Sequence, residues 1–481
     1  MLNNQNSRQD ILLFSGFSLL SLLSIAAALL FNLPFLMATP AALLAIGLAI
    51  IDFRKLYIVL FFFIPLSVHY TFPGGFSTDI PTEPLMVLMM GITMMYLILH
   101  PDSIPKRFWR HPLVGLILLH LIWSAILLLY SIDFIFSLKY LLAKLWYLAS
   151  FLVMTALVFK RSEDFKVVFW AIFIPLITVT IITLIRHAAL HFSFEDVNRT
   201  VTPYFKNHVT YSATLSLFLP FVWFARKWYP TGSWIRDFLS IGMLIMLTGV
   251  YFAYTRGAWV AVLILPLMYV LIRLRIMKWV GLATALMLAF IVFKFEKNNH
   301  YLIYAPDYQT TIYHHSLSGH LEATMEMKDV SSAERLYRWV AASRMFRDRP
   351  ITGFGPGNFY PYYKRYILPS FSTYLSDNKE KSTVHNYLLL QLVEQGIPGF
   401  SLTFLLLLFT FIYGERIYFQ TQDKLHREFV AALLLSLTAI LIQTMLSDLI
   451  ETDKIGSFFY ACIAMLVLMD LNNRSRLESA A

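Results

Sequence analysis

Hydrophobic residues make up 58% of the 481-residue chain and charged residues only 14%, with a formal net charge of +10. A soluble protein of this length needs far more charge to cover its surface, so the composition excludes a freely soluble enzyme. The positive charge would suggest nucleic acid in a soluble chain; here membrane loops account for much of it, and no nucleic-acid partner is expected.

Crossing the hydrocarbon core takes about 20 apolar residues in a helix that satisfies its own backbone. Such runs fall near 11–31, 34–51, 56–70, 83–99, 112–130, 138–159, 166–186, 208–224, 237–254, 257–272, 279–295, 385–412, 428–447 and 455–470. The first, Ile11–Phe31, contains Ala26-Ala27-Ala28, which resembles a cleavage site. Its apolar stretch is long and a second run follows at once, so an uncleaved span is expected. No internal repeat stands out. The single cysteine, Cys462, lies in the last apolar run, so no intramolecular disulfide is possible.

The positive-inside rule orients these runs. With a cytoplasmic N-terminus, the inner connections are Arg54-Lys55, Lys106-Arg107-Arg110, Lys160-Arg161-Lys166 and Arg226-Lys227-Arg236. Arg273-Arg275-Lys278, Arg416-Lys424-Arg427 and the tail Arg474-Arg476 complete the set. Both termini are then cytoplasmic and the long segment 296–384 lies outside. The expected organisation is an all-α polytopic membrane protein of about 12–14 transmembrane helices. Residues 1–295 form a bundle of about eleven helices, 296–384 a partly helical extracytoplasmic loop domain, and 385–481 about three more helices.

Positive charge on the outer face has no topological cause. It collects at Arg199, Lys206 and Arg256, and along the loop at Arg335, Arg338, Arg344, Arg347, Arg349, Lys364 and Arg365. Arginine suits a polyanion, because its planar fork holds phosphate oxygens bidentately. Any one loop arginine could equally be solvated or paired. Arg256 sits between two apolar runs with almost no connecting loop, where an unneeded charge is costly, and its bland alternative is a snorkelling interfacial side chain.

Within the loop, Ser331-Ser332-Ala333-Glu334 reads as a capping box opening a helix to about Phe346. Leu336, Trp339, Val340, Ser343 and Phe346 form its apolar side; Arg335 and Arg338 lie one turn apart on another. After Pro350 comes Gly353-Phe354-Gly355-Pro356-Gly357-Asn358-Phe359. It lacks the Lys-Ser/Thr of a P-loop, so it is expected to let backbone approach the membrane surface or a ligand closely. Tyr360, Tyr362, Tyr363 and Tyr366 suit loop packing, with stacking on sugar rings as the alternative. His385, followed by Asn386 at the outer mouth of a span, can accept a proton near neutral pH. A structural histidine is the commoner case, but its position at the re-entry from the basic loop favours a functional one. His314-His315 and His320 lack matching carboxylate or cysteine ligands for a metal. Asp79 and Glu83, or Glu195-Asp196, are weak substitutes for an Asp-x-Asp motif.

Three stretches resemble the O-antigen ligase and O-antigen polymerase superfamily. The first is Arg199, Pro203 and Asn207-His208 with the apolar run to Pro220. The second is Thr255-Arg256-Gly257-Ala258-Trp259. The third runs from Glu334-Arg335 and Trp339 through Pro350 and the Gly353–Phe359 turn to His385-Asn386, Leu388, Glu394, Gly396 and Gly399. The likeness covers about 195–400. It implies a GT-C-like fold in the bacterial inner membrane and an enzyme working on the periplasmic face. It further implies transfer of a glycan from undecaprenyl diphosphate to an acceptor sugar such as lipid A-core, without nucleotide donor, cofactor or metal. His385 would then be the base, and Arg256 and Arg199 would hold the donor diphosphate, with Arg338 as a third. Arg335, Asn386 and Tyr360 would make acceptor or loop contacts. Ligase, polymerase and protein O-glycosylating relatives share this signature. A lipid-linked glycan transporter is the rival from another class, but transporters place their charges near the bilayer midplane, whereas here the unusual residues gather on one face.

Overall fold

The computed structural model describes residues 3–31, 34–72, 77–159, 162–296, 330–371 and 383–480. Two compact units comprise Met1–Phe61 and Phe62–Ala481. Among the described residues eleven helices are long and apolar enough to cross a membrane, and two shorter apolar helices cover Phe14–Leu30 and Met277–Ile291. The chain is an all-α multi-pass membrane protein. Strand occurs as a small antiparallel hairpin pairing Val68–Thr71 with Ser77–Ile80.

One difference from the sequence expectation falls early in the chain. The runs 34–51 and 56–70 belong to one helical stretch, Leu36–Leu66, whose backbone breaks at Asp52 (φ −160, ψ 94). The polar cluster Asp52-Phe53-Arg54-Lys55 reads as a loop in sequence. In the structure Asp52 accepts a hydrogen bond from the Arg54 backbone N–H at 3.1 Å and so restarts the helix on the far side of the break.

Local signals set the helix starts in the second unit. Asp133, Asn207, Asn386 and Asp423 each accept a backbone N–H at the helix they precede. The helices His208–Ala225, Lys424–Thr444 and Asp453–Ala480 supply much of the buried interior. Thr214 on the first returns its hydroxyl to the Thr210 carbonyl of its own helix, while Ser216 receives Gln443 Nε2 at 2.7 Å. This is the small-and-polar packing expected where lipid offers no hydrophobic contrast.

The described part of the long loop is residues 330–371. Its helix, Val330–Asp348, lies close to the bounds expected from sequence. Tyr337, Val340, Ala341, Met345, Phe354 and Phe359 form an apolar core with Val384, Leu390 and Val393. The loop helix is thereby fixed on the start of the Tyr387–Gln420 helix. His314, His315 and His320 lie outside the described residues.

Candidate functional site

The Tyr387–Gln420 helix is interrupted at Gly396, which takes φ +65. The glycine turn supplies the hydrogen bonds that the interruption leaves open. Phe354 N–H donates to the Val393 carbonyl at 3.0 Å, Gly355 N–H to the Glu394 carbonyl at 2.9 Å, and Ile397 N–H to the Pro350 carbonyl at 2.9 Å. The Glu394 carboxylate accepts Gly357 N–H at 2.8 Å and Phe359 N–H at 2.9 Å. A side chain at Gly396 would place Cβ 2.0 Å from the Ile351 carbonyl oxygen. Asn358 ties the same turn to Ser131 and Ser137, each at 2.9 Å. The turn thus approaches the backbone of a helix, and its nest of N–H groups is filled by the chain's own glutamate.

The loop helix holds the segment before the Tyr387–Gln420 helix. Trp339 Nε1 donates to the Val384 carbonyl at 3.0 Å, and Arg338 Nη1 to the Thr383 carbonyl at 3.2 Å. Arg338 Nη1 also lies 2.8 Å from His385 Nε2. Since the guanidinium can only donate, Nε2 is the acceptor. Glu334, the last residue of the expected capping box, faces Arg338 at 3.5 Å. His385 adopts φ +56, a left-handed conformation that costs a non-glycine residue energy. Burial, then the charges of Arg338 and Arg335, pushes its imidazole down to about 3. Asn386 caps the helix at Leu389 and donates Nδ2–H to the Met445 carbonyl at 3.1 Å.

Leu446, next to Met445, also brings Arg256 to this end of the bundle. Gly257 packs against it so closely that an added Cβ would stand 3.0 Å from Leu446 Cδ1. Arg256 is half-buried at the head of the Arg256–Arg273 helix. Its turn begins with Tyr254, which is left-handed at φ +53 and donates its hydroxyl to the Phe192 carbonyl at 2.7 Å. The Thr255 hydroxyl lies 3.5 Å from the His208 carbonyl. His208 in turn is held through its N–H and ring nitrogen by the Asn198 side chain, and the adjacent Arg199 is exposed on the short Val197–Val201 helix. Five described non-glycine residues have positive φ, and His191, Phe192, Tyr254 and His385 lie in the connections at this end.

The structure therefore sorts the arginines that the sequence is expected to place outside. Arg335 and Arg338 act on His385, and Arg256 and Arg199 belong to the neighbouring connections. Arg344 serves the loop fold by donating to the Tyr366 and Ile367 carbonyls, Arg349 covers the Phe354 ring and Arg365 the Tyr362 ring. The tyrosines pack: Tyr363 is buried and stacks on Phe359, Tyr360 rests against Tyr363, and Tyr366 donates to Asp348. Asp79 pairs with His69 at 3.1 Å and Glu83 with the Thr78 hydroxyl at 2.5 Å, both around the small hairpin.

Two acidic residues were not foreseen. Asp448 stands beside Thr383; burial raises its carboxyl above the usual range, against the opposing pull of the Thr383 hydroxyl and the Arg338 charge. Glu451 accepts Tyr387 Oη and Lys144 Nζ, each at 2.9 Å, and Tyr140 Oη at 3.2 Å. The available signal was two carboxylates in the short 445–452 connection of an otherwise arginine-rich face.

Residues 241–404 match the family model described as O-antigen ligase. Over that stretch the chain is similar to the O-antigen ligase superfamily. The match takes in Arg256, Arg338 and His385 but begins after Arg199. A comparison with curated proteins returns no matching relative. The matched family is one of membrane enzymes of the ligase or glycosyltransferase type, which act in general on lipid-linked glycan and acceptor substrates.

Proposed function

We propose that this protein transfers a glycan from undecaprenyl diphosphate to an acceptor sugar at the periplasmic face of the inner membrane. The observation that supports this most is the contact between Arg338 and His385. It puts a phosphate-binding fork and a neutral imidazole in one cluster, beside the half-buried Arg256 turn. The acceptor hydroxyl attacks the anomeric carbon opposite the diphosphate. The bond from that carbon to the phosphate oxygen breaks, its electron pair leaves with the lipid diphosphate, and the hydroxyl proton goes to His385. Attack from the opposite side inverts the anomeric centre. Arg256 and Arg338, with Arg199 at the rim, meet the charge that develops on the leaving group.

The test is transfer by purified protein in liposomes, with defined lipid-diphosphate glycan and acceptor, normalised to folded protein. General base catalysis contributes about 10²–10⁴-fold, so His385→Ala should erase product and leave donor unspent. Asparagine keeps a hydrogen bond but takes no proton, so His385→Asn should fail almost as badly. Full activity of His385→Asn would remove His385 from the chemistry. Supplying a glycan-chain acceptor on the same carrier in place of lipid A-core separates polymerase from ligase.

A further inference from the structure

Arg338 stands between His385 and any proton the imidazole could take. Its Nη1 occupies the Nε2 lone pair at 2.8 Å and also reaches the Thr383 carbonyl at 3.2 Å. The rest of the guanidinium is poorly satisfied. Nη2 lies 3.5 Å from Glu334 Oε2, and the buried Nε has no hydrogen-bond partner among the described residues. A fork held this loosely gains on meeting an oxyanion that offers two acceptors, because charge-assisted bidentate pairs are about twice as strong as neutral hydrogen bonds.

We propose that Arg338 is a donor-operated switch: the diphosphate of the lipid-linked donor draws its guanidinium off His385 Nε2, and only then can the imidazole accept the acceptor's proton. The switch rests on the function proposed above and adds an order to it, donor before acceptor. Among the described residues, the charged and titratable groups around it are Glu334, Arg335 and Arg338 on the loop helix, Tyr363 beside Arg338, and Asp448 across Thr383. In the resting protein burial and the two arginines hold His385 neutral, down to about 3. An anion that takes Arg338 away and offsets Arg335 removes both repulsive charges and supplies an attractive one. The proton affinity of the ring must then rise. The enzyme would thus have no competent base until a leaving group is in place, which guards the acceptor hydroxyl from idle deprotonation.

The experiment is a pH titration of the histidine ring nitrogens by ¹⁵N NMR in the full-length protein in nanodiscs, with His385 identified from its absence in His385→Asn. Without ligand, His385 should stay unprotonated to about pH 5. With undecaprenyl diphosphate its midpoint should climb by at least two units, toward the ordinary imidazole value of about 6.5. Undecaprenol, which lacks phosphate, should shift nothing. Inorganic diphosphate alone tells whether the trigger is the phosphate chemistry or the lipid-anchored group, and a shift by either form supports the switch. Arg338→Met should raise the ligand-free midpoint part of the way, since burial and Arg335 remain, and should blunt the further response. An unchanged midpoint with saturating undecaprenyl diphosphate, or a ligand-free Arg338→Met protein that titrates like the unaltered one, overturns the switch. The measurement needs no turnover, so its failure is distinct from that of the transfer assay. Robust transfer with an unresponsive His385 removes the switch alone, while a responsive His385 without transfer removes the proposed reaction.

Discussion

Arg256 follows a threonine held by its own turn, and its side chain is only half-buried, so its charge remains within reach of solvent. Lysine at that place keeps the charge but offers a point where arginine offers a planar fork. Arg256→Lys should therefore lower transfer by at least about tenfold while insertion and accumulation stay normal, the loss of about one bidentate contact at 1.4 kcal/mol per decade. Transfer per folded protein measures this; a near-normal rate would leave Arg256 as a snorkelling side chain. At this scale the sequence singles out Arg256 by a charge without a topological reason and His385 by its place at the re-entry from the basic loop. The three-residue spacing of Arg335 and Arg338 also put them correctly on one helix face. It was silent on Asp448, because a carboxylate at a loop needs no explanation until Thr383 and Arg338 are seen beside it.

The glycine turn and the broken helix are one device made of two distant segments. Its glycines were conspicuous in sequence, but their partner was not, since Glu394, Gly396 and Pro398 read as the interior of a span. Only the fold shows that the carbonyls freed by the break at Gly396 are taken up by Phe354 and Gly355. Gly396→Ala meets two obstacles, a left-handed φ and the Ile351 carbonyl 2.0 Å from the new Cβ. Glu394→Ala strips the partners from Gly357 and Phe359 N–H, at about 1–3 kcal/mol for each buried donor left unsatisfied. Either change should loosen residues 330–371 from the Tyr387–Gln420 helix. Limited proteolysis of nanodisc-embedded protein should then cut that segment faster, and transfer should fall with it. Glu394→Gln, which keeps one acceptor oxygen, should lie between. A loop that stays protease-resistant in Gly396→Ala would mean the break is not what docks it.

Across the whole second unit, one buried ion pair joins helices far apart in sequence. Lys144 and Glu451 meet at 2.9 Å, with Lys144 almost fully enclosed and Tyr387 on the same carboxylate. Removing one partner strands the other in a low dielectric, at about 3–5 kcal/mol, whereas removing both costs far less. Glu451→Gln should therefore reduce folded protein in detergent, and adding Lys144→Met should recover much of it; a double variant no better than the single would exclude the pair as the cause. The sequence could not pair them, but it did supply the order of helices from which sidedness follows. From the loop to the end of the chain run three apolar helices, Tyr387–Gln420, Lys424–Thr444 and Asp453–Arg476. Each crossing reverses the side, so 330–371 and the 445–452 connection share one face, and the 421–423 turn and the tail share the other. The basic residues Arg416, Lys424, Arg427, Arg474 and Arg476 lead us to propose that the second face is cytoplasmic, by the positive-inside rule. Cys462 is the single cysteine and is buried, so exposed positions can be converted one at a time after Cys462→Ser. Ser370→Cys should react with a membrane-impermeant maleimide in intact spheroplasts. Gln422→Cys, Ser475→Cys and Thr231→Cys, all exposed in the structure, should react only after permeabilisation. Labelling of Gln422→Cys from outside would place the His385 cluster in the cytoplasm, away from any acceptor beyond the inner membrane, and the proposed periplasmic transfer would fall with it.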